Sequence, residues 1–216
     1  MLARSLTRTL LTAARTVRMP RVHTCVRRTA LRSMTSTPAA RASTTEPASQ
    51  SHDRQAIQAK LLFDEGMAKW NSQDVSGALM AFEKSVRTKP SSDAHYNLAN
   101  CYHHMGDRQR ALEHWKLSLE QQPRADAHVN IANALALFER KVDAAIPHYE
   151  AAVELEPEDG EIRYNFGVVL EAASRLDDAA EHFVIANKLG IAKAGERLER
   201  VLKKILSTKP DAPKKD

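Results

Sequence analysis

The side chains best placed to do chemistry in this chain of 216 residues are nine histidines, two cysteines and a set of repeated asparagines. His114, His148 and His182 recur at a fixed interval, and each stands just before a large aromatic residue, Trp115, Tyr149 or Phe183. Three histidines suggest zinc, whose bonds to imidazole nitrogen are about 2.1 Å, so its ligands must converge. Residues repeated at that interval on packed helices stand about 10 Å apart, too far to share an ion. His103 and His104 are adjacent and point two ways from a helix. Cys25 and Cys101 make no CxxC or Cys/His spacing and no disulfide framework. The acids of "EPEDGE", Glu156–Glu161, read as a solvated loop between apolar segments. No phosphate-binding glycine loop, nucleophile elbow or metal signature occurs. The sequence therefore predicts no enzyme, no cofactor and no metal.

The asparagines are more orderly. "DAHYNLAN" runs from Asp93 to Asn100 and "DAHVNIAN" from Asp126 to Asn133, with six of eight positions identical. Asn97 and Asn130 are equivalent in these phrases, Asn165 takes the same place further on, and Asn100 and Asn133 form a second pair. A carboxamide offers both a donor and an acceptor, so it can bind a peptide's C=O and N–H together.

The elements that must position these side chains are helices. From about Arg54 to Ser207 the apolar residues follow a helical period, and the chain is self-similar. Four segments align: 59–91, 92–124, 125–158 and 160–190. A small residue stands in the middle of each first helix: Gly66, Ala99, Ala132 and Gly167. An alanine stands early in each second helix, Ala78, Ala111, Ala145 or Ala179, with Phe82, Trp115, Tyr149 or Phe183 four residues later. Gly or Ala lets two helices approach closely, and the aromatic lies on the same face as the alanine and fills the gap. Pro90, Pro123 and Pro157 close three of the units, because proline cannot continue a helix. Repeat three has one extra residue in its internal turn and lacks the glycine found at Gly106. Its Pro147 either marks a first turn or kinks the helix.

These residues resemble the tetratricopeptide repeat family over about 150 residues. The resemblance implies an all-α fold, a right-handed α-solenoid of about four helix–turn–helix repeats. A stripe of Ile191, Ala194, Leu198, Val201, Leu202 and Ile205 then predicts a capping helix over 191–207. The resemblance also implies that Asn97, Asn130 and Asn165 line a concave peptide groove, as a similar row does in the O-linked N-acetylglucosamine transferase superhelix. Asn100 and Asn133 would add a second pair, with Phe63, Trp70, Tyr96 and Tyr164 beside Asp93, Asp126 and Glu161. Such a groove suits an extended partner segment with apolar and basic side chains. Successive repeats about 10 Å apart match three extended residues at about 3.3 Å each. The other reading is that the asparagines satisfy polar groups between helices. The positions where a carboxylate clamp would need cations hold Phe63, Asp126, Asn130, Glu161 and Asn165, which excludes that mode.

The charge is divided. Residues 1–45 hold nine Arg, no Lys and no acid, which leaves 23 basic against 27 acidic residues in the rest. An acidic body argues against nucleic acid, which needs a surplus of cations. Near the start, Leu2, Leu6, Leu10, Ala13 and Val17 fall on one helical side and Arg4, Arg8, Arg15 and Arg18 on the other. That pattern predicts a mitochondrial transit peptide over 1–33, followed by a Ser/Thr/Pro linker over 34–53 and, at the far end, a tail over 208–216. No run of 18 apolar residues suggests a membrane span. The sequence thus predicts a protein-binding adaptor inside mitochondria, most simply in the matrix. Its alternatives are a structural subunit of a complex, an RNA-binding helical array and an import-receptor component.

Overall fold

The structure, a computed structural model, describes residues 48–208. The predicted leader, most of the linker and most of the tail lie outside the described residues. Within them run nine helices and no strand: α1 (Ala48–Asn71), α2 (Val75–Thr88), α3 (Ser92–His104), α4 (Arg108–Gln121), α5 (Ala125–Leu137), α6 (Val142–Leu155), α7 (Gly160–Ala172), α8 (Leu176–Lys188) and α9 (Ala192–Thr208). Each helix packs on the helices before and after it in sequence. That is the contact pattern of a solenoid, and the all-α expectation holds. Helix α1 begins at Ala48, inside the stretch expected to be linker. Nothing after Pro47 obstructs a helix, since the next proline is Pro90.

Local chemistry sets the helix starts. Asp74, Ser91, Asp107 and Asp159 accept hydrogen bonds from the backbone N–H three residues on, satisfying donors that have no helical partner. Every turn inside a repeat needs one left-handed residue, and the four are Gln73, Gly106, Arg140 and Ser174. Only Gly106 takes that conformation without steric cost. In repeats one, two and four the turn closes by an N–H that reaches back five residues, as Asp107 does to Tyr102 at 2.9 Å. In repeat three Lys141 reaches back six, to Leu135 at 3.0 Å, and so houses the extra residue. Pro147 sits inside a continuous α6. Lacking an N–H, it cannot bond to the Asp143 carbonyl one turn earlier.

Packing within each repeat follows the small-residue and aromatic rule. Phe82, Trp115, Tyr149 and Phe183 are essentially fully buried. A Cβ added at Gly66 would come within 2.6 Å of Phe82, and one at Gly167 within 2.8 Å of Phe183. Helix α5 is the partition of the molecule. Ala127, Ile131 and Ala134 face the core built with α1–α4. Ala125, Val129, Ala132 and Ala136 face the core built with α6–α9.

The cap is present, with one correction to its stripe. Ala194 and Val201 are buried and Ile191, Leu198 and Ile205 pack partly. Leu202, however, is 44% exposed, and Leu206 71%. At about 100° per residue Leu202 stands roughly 80–100° around the helix from the buried Ala194 and Val201, at the edge of the stripe. Arg197 holds the cap down through a 2.8 Å ion pair with Glu171 of α7, reinforced by Lys204.

Candidate functional site

The expected groove residues lie on the first helices α1, α3, α5 and α7, but the structure separates them by what their polar atoms already do. Asn100 is 3% exposed, and its Oδ1 accepts from the Trp115 indole N–H at 3.0 Å. Asn133 Oδ1 accepts from the Tyr149 hydroxyl at 2.6 Å. Both oxygens therefore face their own second helix. The rest of the alignment explains the pattern. Where the packing aromatic is Phe82 or Phe183, with no polar tip, the place of Asn100 is filled by Met67 or Val168. An asparagine occurs only where a buried N–H or O–H needs an acceptor.

The row at Asn97, Asn130 and Asn165 is uneven. Asn97 is buried, and its Nδ2 donates to the Asp93 carbonyl of its own helix at 2.9 Å. Asn130 is buried between repeats, its Nδ2 3.4 Å from both the Tyr96 hydroxyl and Asn100 Oδ1. Asn165 is different: its Oδ1 is buried and has no hydrogen-bond partner. A buried acceptor without a donor is costly, about 1–3 kcal/mol.

Two cations that the sequence reading missed close over this wall. Arg124, at the start of α5, pairs with Asp93 and lies 4.4 Å from the Tyr96 ring centre. Lys193, at the start of α9, pairs with Glu161 at 2.9 Å and lies 4.4 Å from the Tyr164 ring centre. Each cation thus clasps an acid and a tyrosine of the first helix one repeat back. Tyr96 is fully covered, and burial followed by the Asp126 charge pushes its phenol up to about 12. Tyr164 is also buried, and its ring meets Phe183 at 5.7 Å. Phe63 packs on Phe82 at 5.5 Å, and Trp70 meets the edge of His104 at 5.8 Å. Both keep part of their surface open. No local pattern marks Arg124 or Lys193, because each partner lies some thirty residues away in sequence.

Cys101 and His103 are committed to packing. Cys101 is buried, which pushes its thiol up to about 12 and leaves it a poor nucleophile. His103 packs between Trp115 and Phe138. Among the described residues no three His, Cys, Asp or Glu side chains converge, and no helix is long and apolar enough to cross a membrane.

Comparison with known proteins agrees with this architecture. The tetratricopeptide repeat family matches at residues 92–124 and again at 135–186. No curated protein sequence matches. Among solved structures, YrrB, described as a TPR protein with an unusual peptide-binding site, superposes with a TM-score of 0.64 at 19% identity, covering 77% of this chain and 87% of YrrB. PilF of Pseudomonas aeruginosa gives 0.60 at 19% identity, over 71% and 72%. MamA of Desulfovibrio magneticus gives 0.57 at 20% identity, over 71% and 98%. At such identities the likeness is one of fold. Residues 92–124 and 135–186 thus match tetratricopeptide repeats, and the described residues stack as an all-helical solenoid.

Proposed function

We propose that this protein is a non-enzymatic adaptor inside mitochondria that holds an extended segment of a partner protein along the wall formed by α1, α3, α5 and α7. The observation that carries the reading is the unpartnered Oδ1 of Asn165, beside Tyr164 and its Lys193 clasp. A peptide N–H brought to that oxygen after a small side-chain movement satisfies an acceptor that the protein itself leaves unmet. A basic side chain of the ligand would compete with Lys193 for Glu161 and for the Tyr164 ring, since Lys193 is half exposed. Trp70 and Phe63 offer apolar contact at the other end of the wall. YrrB, which has a peptide-binding site, supports the reading by shared architecture. The mitochondrial address rests on the Arg-rich, acid-free start of the sequence alone.

A peptide array probed with the full chain tests the site. Asn165→Ala and Trp70→Ala should each weaken capture of the best peptides, while Leu206→Glu on the cap leaves it unchanged. Retained binding in both wall variants would remove the wall as the site. Import of a fluorescent fusion of residues 1–45 tests the address, and a cytosolic signal refutes it. A second reading, a structural subunit joined through its end, is favoured by the exposure of Leu202 and Leu206 on α9. Loss of binding in Leu206→Glu alone would select it.

A further inference from the structure

Repeats two and three each bring two histidines together between their first and second helices. Nδ1 of His95 in α3 lies 3.0 Å from Nδ1 of His114 in α4. Nδ1 of His128 in α5 lies 3.0 Å from Nδ1 of His148 in α6. Repeat four breaks the series. Arg163 stands where His95 and His128 stand, and His182 packs on the Phe166 ring at 4.4 Å with its Nδ1 buried and unpartnered. Two imidazole nitrogens bound tetrahedrally at about 2.1 Å from one ion are about 3.4 Å apart. Each pair is therefore within a few tenths of an ångström of a chelating separation, and the rings must also turn so that both Nδ1 lone pairs meet at the ion.

The two pairs share geometry and differ in surroundings. The charges of Glu120, Glu113 and Glu83 act on His95 or His114, opposed by Arg110, which is itself paired with Asp107 at 2.6 Å. Glu83 is fixed by the Tyr102 hydroxyl at 2.8 Å, and the Tyr102 ring stacks on His114 at 5.5 Å. At the second pair Lys116 acts on the His148 ring and repels a cation.

We propose that His95 and His114 form a binding site for one divalent transition metal of the zinc, nickel or copper class. Imidazole suits those ions, and both Nδ1 atoms become ligands, with water in the other positions. In the free pair one ring carries its proton on Nδ1 and donates to the other. When the ion binds, that proton moves to Nε2 of the same ring, so a neutral pair releases no net proton. Two protein ligands make the site exchangeable.

Titration calorimetry of the tag-free full chain with zinc(II) alone, above neutral pH, tests this. Wild type should show one event tighter than any other. His114→Gln should weaken it at least about tenfold, and His148→Gln should leave it in place. Imidazole 15N spectra of the unsubstituted protein should show the Nδ1 resonances of His95 and His114 moving with zinc, a readout that does not depend on any variant folding. Equal zinc affinity in wild type and His114→Gln overturns the proposal. So does equal loss in both variants, or zinc saturation without movement of those two resonances.

Discussion

Repeats two and three open with nearly the same eight residues, yet the structure gives those residues different work. Asn97 turns back on its own helix, whereas Asn130 bridges to Tyr96 and Asn100 of the repeat before. Tyr96 is clasped by Arg124, but its counterpart in repeat three is Val129, which packs into the core of the second half. Both repeats use their second asparagine to receive the polar tip of the packing aromatic. Both also hold a histidine pair, one amid acids and one beside a lysine. Identical phrases thus fix a helix and its register, while their neighbours fix the chemistry.

The comparison is broken most strongly at the aromatic. Trp115→Ala empties a fully buried site and should cost about 3–5 kcal/mol, read as a lowered midpoint in urea. A loss below about 1 kcal/mol would mean that repeat two is not held by this side chain. Tyr149→Phe should cost about 1–3 kcal/mol, because Asn133 Oδ1 then loses its donor inside the helix pair. Adding Asn133→Val copies the Val168 and Phe183 pairing of repeat four and should recover most of that loss. An additive double mutant would show that the asparagine serves something else.

Acid should separate the repeats. His95, His103, His114, His128, His148 and His182 are all held below the ordinary histidine value, chiefly by burial. The unfolded chain takes up these protons near pH 6.5 and the folded chain resists them, so stability is intact above that pH and falls as the pH drops below it. Hydrogen exchange at pH 5.5 against 7.5, corrected for intrinsic rate, should show loosening of α3–α8 while α2, which has no histidine, follows only the global change. Uniform behaviour at the two pH values would contradict this. The smallest effect is expected from Arg124→Ala, which opens a surface clasp worth about 0.5–1 kcal/mol. Its sharper sign is a change in the fluorescence of Tyr96, with Tyr164 under Lys193 as the internal reference.

Much of the fold was legible because its determinants are local. The spacing of Ala111 to Trp115, or Ala179 to Phe183, lies within one helix, and the partner Ala99 or Gly167 lies in the helix just before. The candidate site was less legible. The asparagine row was visible, but the state of each oxygen was not, since Asn100 and Trp115 meet across the repeat and Asn130 reaches into the repeat before. A signal was available in the alternation of Asn with Met67 and Val168, which follows whether the aromatic has a polar tip. The spacing between repeats, about 10 Å, carries no sign of the His95 and His128 contacts, because these lie within each repeat.

By itself the sequence determined the repeat, the helix pairs, the closing prolines and the acidic body, because composition and short-range spacing carry them. Only the tertiary structure decided which asparagine lacks a donor, which tyrosines are clasped, and which histidines meet. Those outcomes depend on side chains fifteen to thirty-five residues apart brought within about 3 Å, where hydrogen bonds form or fail. Periodicity places a residue on a face; it does not say what stands opposite.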